Sequence, residues 1–208
     1  MKEIILDHPM VKHKISILRN EKTSTKEFRE LIAEIASLLC YEALKDAKPK
    51  KIKVKTPIAE TTGYQVDEND YAFVPILRAG MGMVDGVLEV MPNAKIGHIG
   101  LYRNEETLEP VRYYCKLPKN AKKKTVFLLD PMLATGGSGS AAIEMLKKDG
   151  VKKIKFLCVI AAPCGIERIK KDHPDVQIYC AQLDKKLNNV GYIVPGLGDA
   201  GDRIYGTK

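Results

Sequence analysis

Long apolar runs are missing from this chain of 208 residues. The longest, Phe156 to Pro163, falls far short of the roughly 20 residues that an apolar helix needs to span a bilayer, so no membrane association is expected. The N-terminus has only Ile4-Ile5-Leu6 as an apolar stretch before Asp7, which is not the pattern of a secretory signal. Paired cysteines are missing as well. The five cysteines are odd in number, none stands in Cys-x-x-Cys spacing, and the four histidines are scattered. That argues against a disulfide framework and a zinc site and for reduced thiols in the cytoplasm. Aromatics make up only 6% of the chain. None is interleaved with the two lysine clusters, Lys48 to Lys55 and Lys122 to Lys124, as single-strand nucleic-acid binders require. Both clusters read as solvated loops ahead of strands, and no nucleic acid is expected as a partner. Internal repeats, low-complexity tracts and linkers are absent too.

What remains is a globular composition, 45% hydrophobic and 29% charged, long enough for one α/β domain over residues 1–208. The formal net charge of +8 would steer a small, highly anionic substrate. His8 to Asn20 is predicted helical, with Asp7 as N-cap and Pro9 in the first turn. Ser24-Thr25-Lys26-Glu27 reads as a capping box. Phe28, Leu31, Ile32, Ile35, Leu38 and Leu39 then recur at helical spacing to about Lys45, as core or dimer packing. Ile52, Val54, Thr56 and Ile58 alternate as a half-buried strand would. Strands follow at Tyr71 to Leu77, Lys95 to Tyr102, Val111 to Leu117, Ile154 to Ala161 and Val176 to Ala181, and helices at Met83 to Val90 and Ile166 to Lys171. The polar stretch Asn104 to Pro110 reads as a long hairpin or flap. Alternation of strands and helices predicts a mainly parallel sheet covered on both faces.

The most informative stretch is Thr125-Val126-Phe127-Leu128-Leu129-Asp130-Pro131-Met132-Leu133-Ala134-Thr135-Gly136-Gly137-Ser138. Val126 to Leu129 has the character of a strand buried on both faces. Asp130 ends it at the carboxyl edge of the sheet, where open α/β sheets bind ligands. The small residues Ala134 to Ser138 precede a predicted helix from Ser140 to Lys148 closed by Gly150. Small side chains let backbone N–H groups approach an anion, and a helix N-terminus favours it. A phosphate fits there, with Asp130 accepting hydrogen bonds from an attached sugar. An ordinary βα turn is the bland alternative. No Lys follows the glycines, so this is not a Walker loop, and Gly-x-Gly-x-x-Gly is missing.

Two other segments carry chemistry. Tyr71 to Leu77 delivers Arg78 to a turn loosened by Gly80 and Gly82, and an Arg fork suits phosphate oxygens; a plain surface Arg at a strand end is the alternative. The C-terminal stretch Gly191 to Gly206 is Gly-rich, yet Ile193, Val194, Leu197 and Ile204 are too apolar for a loose tail. Its amides near Gly198 and Ala200 and a carbonyl near Ile193 would match the acceptor–donor–acceptor edge of uracil.

Pro75-Ile76-Leu77-Arg78-Ala79-Gly80, Asp130 to Ser138 and Tyr192 to Arg203 resemble, in order and spacing, the motifs of the uracil branch of the type I phosphoribosyltransferase family, and the resemblance covers nearly the whole chain. Leu129 stands where members commonly carry the first of two adjacent acids, which points away from the purine and orotate branches. The resemblance implies that family's α/β fold, with a flap and a small base-binding hood formed by about residues 182–208 and the N-terminal helices. It implies uracil and 5-phosphoribosyl 1-diphosphate as substrates, UMP and diphosphate as products, and pyrimidine salvage as the role. By the same resemblance Arg78, Arg103, Asp130, Pro131, Met132, Leu133, Ala134, Thr135, Gly136, Gly137, Ser138 and Asp199 bind phosphoribosyl diphosphate. Ile193, Gly198, Asp199 and Ala200 bind uracil, and Asp199 and Arg103 act in catalysis. Mg²⁺ is the implied cofactor, held mainly by substrate and water rather than by a protein metal site. GTP activates some relatives, and a homodimer or higher even assembly is expected. The rival is a regulator on the same fold that senses nucleotides and binds RNA.

Overall fold

The computed structural model of the protein describes residues 3–103 and 110–207. The chain opens with β1 (Glu3–Ile5), α1 (Pro9–Arg19) and α2 (Thr25–Ala43), then β2 (Lys50–Lys55) and β3 (Glu60–Gln65). Next come β4 (Tyr71–Leu77), α3 (Val84–Val90), β5 (Lys95–Ile96), β6 (His98–Arg103) and β7 (Pro110–Lys116). Then follow β8 (Thr125–Leu129), β9 (Met132–Leu133), α4 (Gly137–Lys148), β10 (Lys153–Ala161), α5 (Pro163–Asp172) and β11 (Gln177–Leu183). The last elements are β12 (Lys186–Leu187), β13 (Ile193–Val194) and α6 (Ala200–Tyr205).

The main sheet runs β1-β11-β10-β8-β4-β6-β7, with β5 beside β4 and β9 beside β10. Every pairing is parallel except β6 with β7. From β4 the chain crosses outward to β6, and from β8 it crosses outward to β10. The connections therefore diverge between β4 and β8, which opens a crevice at their carboxyl ends where such sheets take ligands.

The apolar runs are continuous because both faces of the sheet are covered. Phe73, Phe127, Leu129, Leu157 and Val159 pack on one side with α1, α2, α3 and α6. Their neighbours Val74, Val126, Leu128, Phe156 and Cys158 pack on the other with α4 and α5. Phe28, Ile32, Ile35 and Leu39 of α2 are fully buried in this core, each contributing about 1.5–3 kcal/mol. These positions of the α2 stripe are thus consumed within the chain, while Leu38 is only partly buried and Tyr41 is exposed.

Some local expectations change. His8, not Asp7, caps α1, its Nδ1 accepting from the Met10 N–H at 3.1 Å; Asp7 pairs with Lys12 instead. Ser24 does cap α2, accepting from the Glu27 N–H at 3.2 Å. The strand expected to reach Ile58 stops at Lys55, because Thr56 N–H donates to the Ala59 carbonyl at 2.9 Å and turns the chain back into β3. The first lysine cluster is accordingly part of a two-stranded hairpin, not a loop. Of the expected flap, Asn104 to Pro110, residues 104–109 lie outside the described residues, and Pro110 begins β7.

Candidate active site

The Gly-rich loop begins where β8 ends. Asp130 follows Leu129, Pro131 turns the chain, and Met132–Leu133 pair with Ile160–Ala161 of β10 as β9. Ala134 and Thr135 lead to Gly136, whose φ of 79° lies in the left-handed region that glycine tolerates. Gly136 is the N-cap of α4 and offers no side chain to its N–H groups. The helix starts at Gly137, three residues before the sequence pattern placed it, so Gly137 and Ser138 form its first turn. The first N–H groups of a helix have no intrahelical acceptor; here the Gly137 N–H reaches only the Thr135 hydroxyl oxygen, at 3.5 Å. Gly165 makes the loop possible, since a Cβ there would lie 2.4 Å from the Ala134 carbonyl oxygen.

Asp130 is partly buried. Loss of water around its carboxyl is the main reason its pKa is pushed up to about 7; the Met132 N–H, 3.3 Å from Oδ1, pulls the other way, and the negative charge of Asp199 adds to the rise. Asp130 and Asp199, 69 positions apart in the sequence, therefore feel each other across the crevice. Leu129, an aliphatic side chain fully buried in the core, has no carboxylate to offer beside it. Asp199 is the acid that the fold brings near instead.

The Arg78 turn lies beside this loop because Tyr71 to Pro75 of β4 pair in register with Thr125 to Leu129 of β8. The Leu77–Arg78 peptide is cis. Gly80 presses on the end of β8, where a Cβ would come within 2.4 Å of the Leu129 carbonyl oxygen. Arg78 is largely exposed. Together with Met132, Asp199 and Ala200 it lines a cavity of about 250 Å³.

A second cavity, about 380 Å³, is lined by Tyr192, Gly198, Asp199, Asp202, Arg203 and the α1–α2 connection at Glu21 and Thr23. Asp199 lines both cavities. Its Oδ1 caps α6 by accepting from the Asp202 N–H at 2.9 Å, which fixes the carboxylate in place. Ala200 is the first residue of α6, so its N–H also lacks an intrahelical partner. Ile193 is buried, and its carbonyl faces Gly196, where a Cβ would lie 2.0 Å from that oxygen. Gly196 is held from two sides: its N–H donates to Asp184 Oδ2 at 2.9 Å, and its carbonyl accepts from Arg19 Nη1 at 3.0 Å. Arg19 and the buried Asp184 form a two-point ion pair. Arg203 donates to the carbonyls of Leu18, Leu197 and Asn20 and stacks over Phe28 at 4.3 Å. The Gly-rich C-terminal segment is ordered by these arginine clamps to α1 and α2.

Arg103 ends β6, and its side chain lies outside the described residues. A larger cavity, about 680 Å³, opens at the opposite edge of the sheet among Tyr71, Thr125 and Lys153, the first residues of β4, β8 and β10. It is remote from both Gly-rich turns and lined by the exposed Lys48, Lys123, Lys152 and Lys153 and by the buried Lys155, whose Nζ donates to Asp46 Oδ1 at 2.6 Å. Sequence reasoning missed Arg19 and Asp184, and gave no role to Asp202 within the Tyr192 to Arg203 motif. The only signal of Arg19 and Asp184 was a charged side chain beside an apolar stretch, which many surface positions share.

Against known proteins, the sequence model of the family described as uracil phosphoribosyltransferase matches residues 5–207. A uracil phosphoribosyltransferase of Dictyoglomus thermophilum is 57% identical over 205 residues, covering 99% of both chains. That of Wolinella succinogenes is 55% identical over 208 residues, covering 100% of both. Among solved structures, the AQ2163 protein from Aquifex aeolicus superposes with a TM-score of 0.93 at 44% identity over 98% of each chain. Adenine phosphoribosyl transferase from Trypanosoma brucei gives a TM-score of 0.58 at 12% identity over 87% of this chain and 83% of its own, a likeness of fold alone.

Proposed function

The chain belongs to the uracil phosphoribosyltransferase family, and on that premise we propose that it joins uracil to the phosphoribosyl group of 5-phosphoribosyl 1-diphosphate. The products are UMP and diphosphate, the role is pyrimidine salvage in the cytoplasm, and residues 1–208 act as one domain. The observation that carries the assignment is Asp199, which lines the Arg78 cavity and the C-terminal cavity together. A transferase needs a wall shared by its two substrates at the point where they react.

In this assignment Thr135 to Ser138 seat the 5′-phosphate at the start of α4, with Pro131 to Ala134 forming the loop that leads to them. Asp130 accepts hydrogen bonds from the ribose hydroxyls. Arg78 and Arg103 neutralise the diphosphate as the bond from the anomeric carbon to the diphosphate oxygen breaks. Ile193, Gly198 and Ala200 read the edge of uracil and hold its ring nitrogen in line, and Asp199 assists loss of the proton from that nitrogen. Fixing both reactants and stabilising the departing charge account for the catalysis.

Magnesium is the proposed cofactor. Among the described residues no group of three or more His, Cys, Asp or Glu could hold a metal ion, whereas Asp130 and Asp199 are hard oxygen donors suited to holding waters of an ion carried by the substrate. When bound, that ion adds positive charge against the leaving diphosphate. An even homo-oligomer belongs to the same proposal. Ile58 at 94% and Tyr64 at 67% exposure on the β2–β3 hairpin are apolar area that a second copy would cover. Activation by GTP rests on family resemblance alone.

A panel of free bases with phosphoribosyl diphosphate and magnesium, read as diphosphate release with and without GTP, tests the function. Uracil should be turned over and hypoxanthine and adenine should not. No release with uracil would remove the assignment. The RNA-binding regulator has only the net charge in its favour.

A further inference from the structure

Arg78 is gripped from one side by α6. Its Nη2 lies 3.8 Å from Asp202 Oδ1. Its guanidinium carbon is 5.8 Å from the centre of the Tyr205 ring. Its carbonyl accepts from the Tyr205 hydroxyl at 2.9 Å and from the Met81 N–H at 3.1 Å. Asp202 and Tyr205 are one helical turn apart, so a single face of α6 meets both the backbone and the side chain of the Arg78 turn. Asp202 also accepts from Thr207 Oγ1 at 2.5 Å, which limits where its carboxylate can swing.

The helix that makes these contacts is itself anchored. Arg29 Nη1 donates to the Ile204 carbonyl at 3.1 Å, and Arg203 donates to three further carbonyls. Ile204 is buried, and its Cδ1 occupies the space beside Gly82 that a Cβ would enter at 2.8 Å. The N-cap of the same helix is Asp199, between the two cavities. One short rigid element thus joins the C-terminal cavity to the arginine of the other.

We propose that Asp202, assisted by Tyr205, is a positioning residue that holds the Arg78 guanidinium over the diphosphate side of the crevice. The inference rests on the function proposed above. A free Arg side chain samples many rotamers, and binding an anion must freeze them; holding the fork beforehand removes part of that entropic cost. Because Arg78 is mostly exposed, the effect is that of a solvent-screened pair and not of a buried one.

The test is steady-state kinetics with phosphoribosyl diphosphate and uracil varied in turn. Asp202→Asn should raise the KM for phosphoribosyl diphosphate about two- to fivefold, the range of a screened ion pair, with kcat and the KM for uracil changed less than about twofold. Tyr205→Phe should move the same parameter in the same direction. In an Arg78→Ala background the effect of Asp202→Asn should vanish, since the residue it acts through is gone. An undiminished effect in that background, or an equal rise in both KM values, would overturn the inference. Should Asp202→Asn fail to fold, Tyr205→Phe carries the same cycle with Arg78→Ala and the same criteria. Normal turnover of uracil by the unaltered protein with an additive cycle overturns this inference alone; no turnover overturns the proposed function and this inference with it.

Discussion

Asp130→Asn should make the substrate-free protein more stable while impairing its use of phosphoribosyl diphosphate. Burial holds the Asp130 carboxyl at about 7, against an ordinary value of 3.8. Ionising it in the folded protein is therefore opposed by roughly 4 kcal/mol at most. Solvent in the open crevice should reduce this to about 2–4 kcal/mol. The sign follows from linkage. Well below pH 4 the carboxyl is neutral in both folded and unfolded chains, and the group has no effect. Between about pH 4 and 7 the unfolded chain releases the proton and the folded one retains it, so folding stability falls. Above about pH 7 both are ionised and the loss is complete. The Asn variant carries no such charge. Calorimetric Tm values of the two proteins without substrate should converge near pH 4, separate up to pH 7 and stay apart above it. With about 2–4 °C per kcal/mol for a chain of this size, the gap at pH 8 should be about 5–15 °C, with Asn higher. A gap that does not change with pH, or an unaltered protein that is the more stable at pH 8, would refute the placement of this carboxyl. Stability sacrificed for a binding group is a common trade at active sites.

Gly80→Ala puts a methyl 2.4 Å from the Leu129 carbonyl oxygen and about 3.1 Å from Pro75; backbone must shift, so urea midpoints should report a loss of roughly 1–3 kcal/mol and phosphoribosyl diphosphate should bind more weakly. Arg19→Ala strands the Asp184 carboxylate, whose side chain is 3% exposed. It should cost about 3–5 kcal/mol in denaturant titration and, by releasing the Gly196 turn, raise the KM for uracil; unchanged values would remove the clamp from the base pocket. Cytosine should be a poor substrate, because its N4 amine and N3 acceptor mismatch groups set for uracil. Equal rates for the two bases would show that Ile193, Gly198 and Ala200 are misassigned.

The sequence by itself determined whatever depends on near neighbours along the chain. The apolar run Tyr71 to Leu77 could only be a buried strand, and β4 occupies those residues. Ser24 capped α2, and the stretch from Thr125 to Ser138 folded into strand, turn and helix, because caps, propensities and glycine conformations act within a few residues. The family too was legible, since three motifs in fixed order left few alternatives. Local reasoning went astray where a short-range contact competed with the pattern, as at His8 and at the Thr56 turn.

Only the tertiary structure decided what faces what. β1 pairs with β11 across the whole chain, a contact that no local pattern encodes. Asp199 confronts Asp130, Asp202 meets Arg78, and Arg19 secures Gly196 through Asp184, each across more than 60 positions of sequence. A carboxylate's pKa, an arginine's orientation and a carbonyl's accessibility are set by the charges and packing that surround it in space. Those surroundings come into being only when the sheet has assembled and the C-terminal helix has docked.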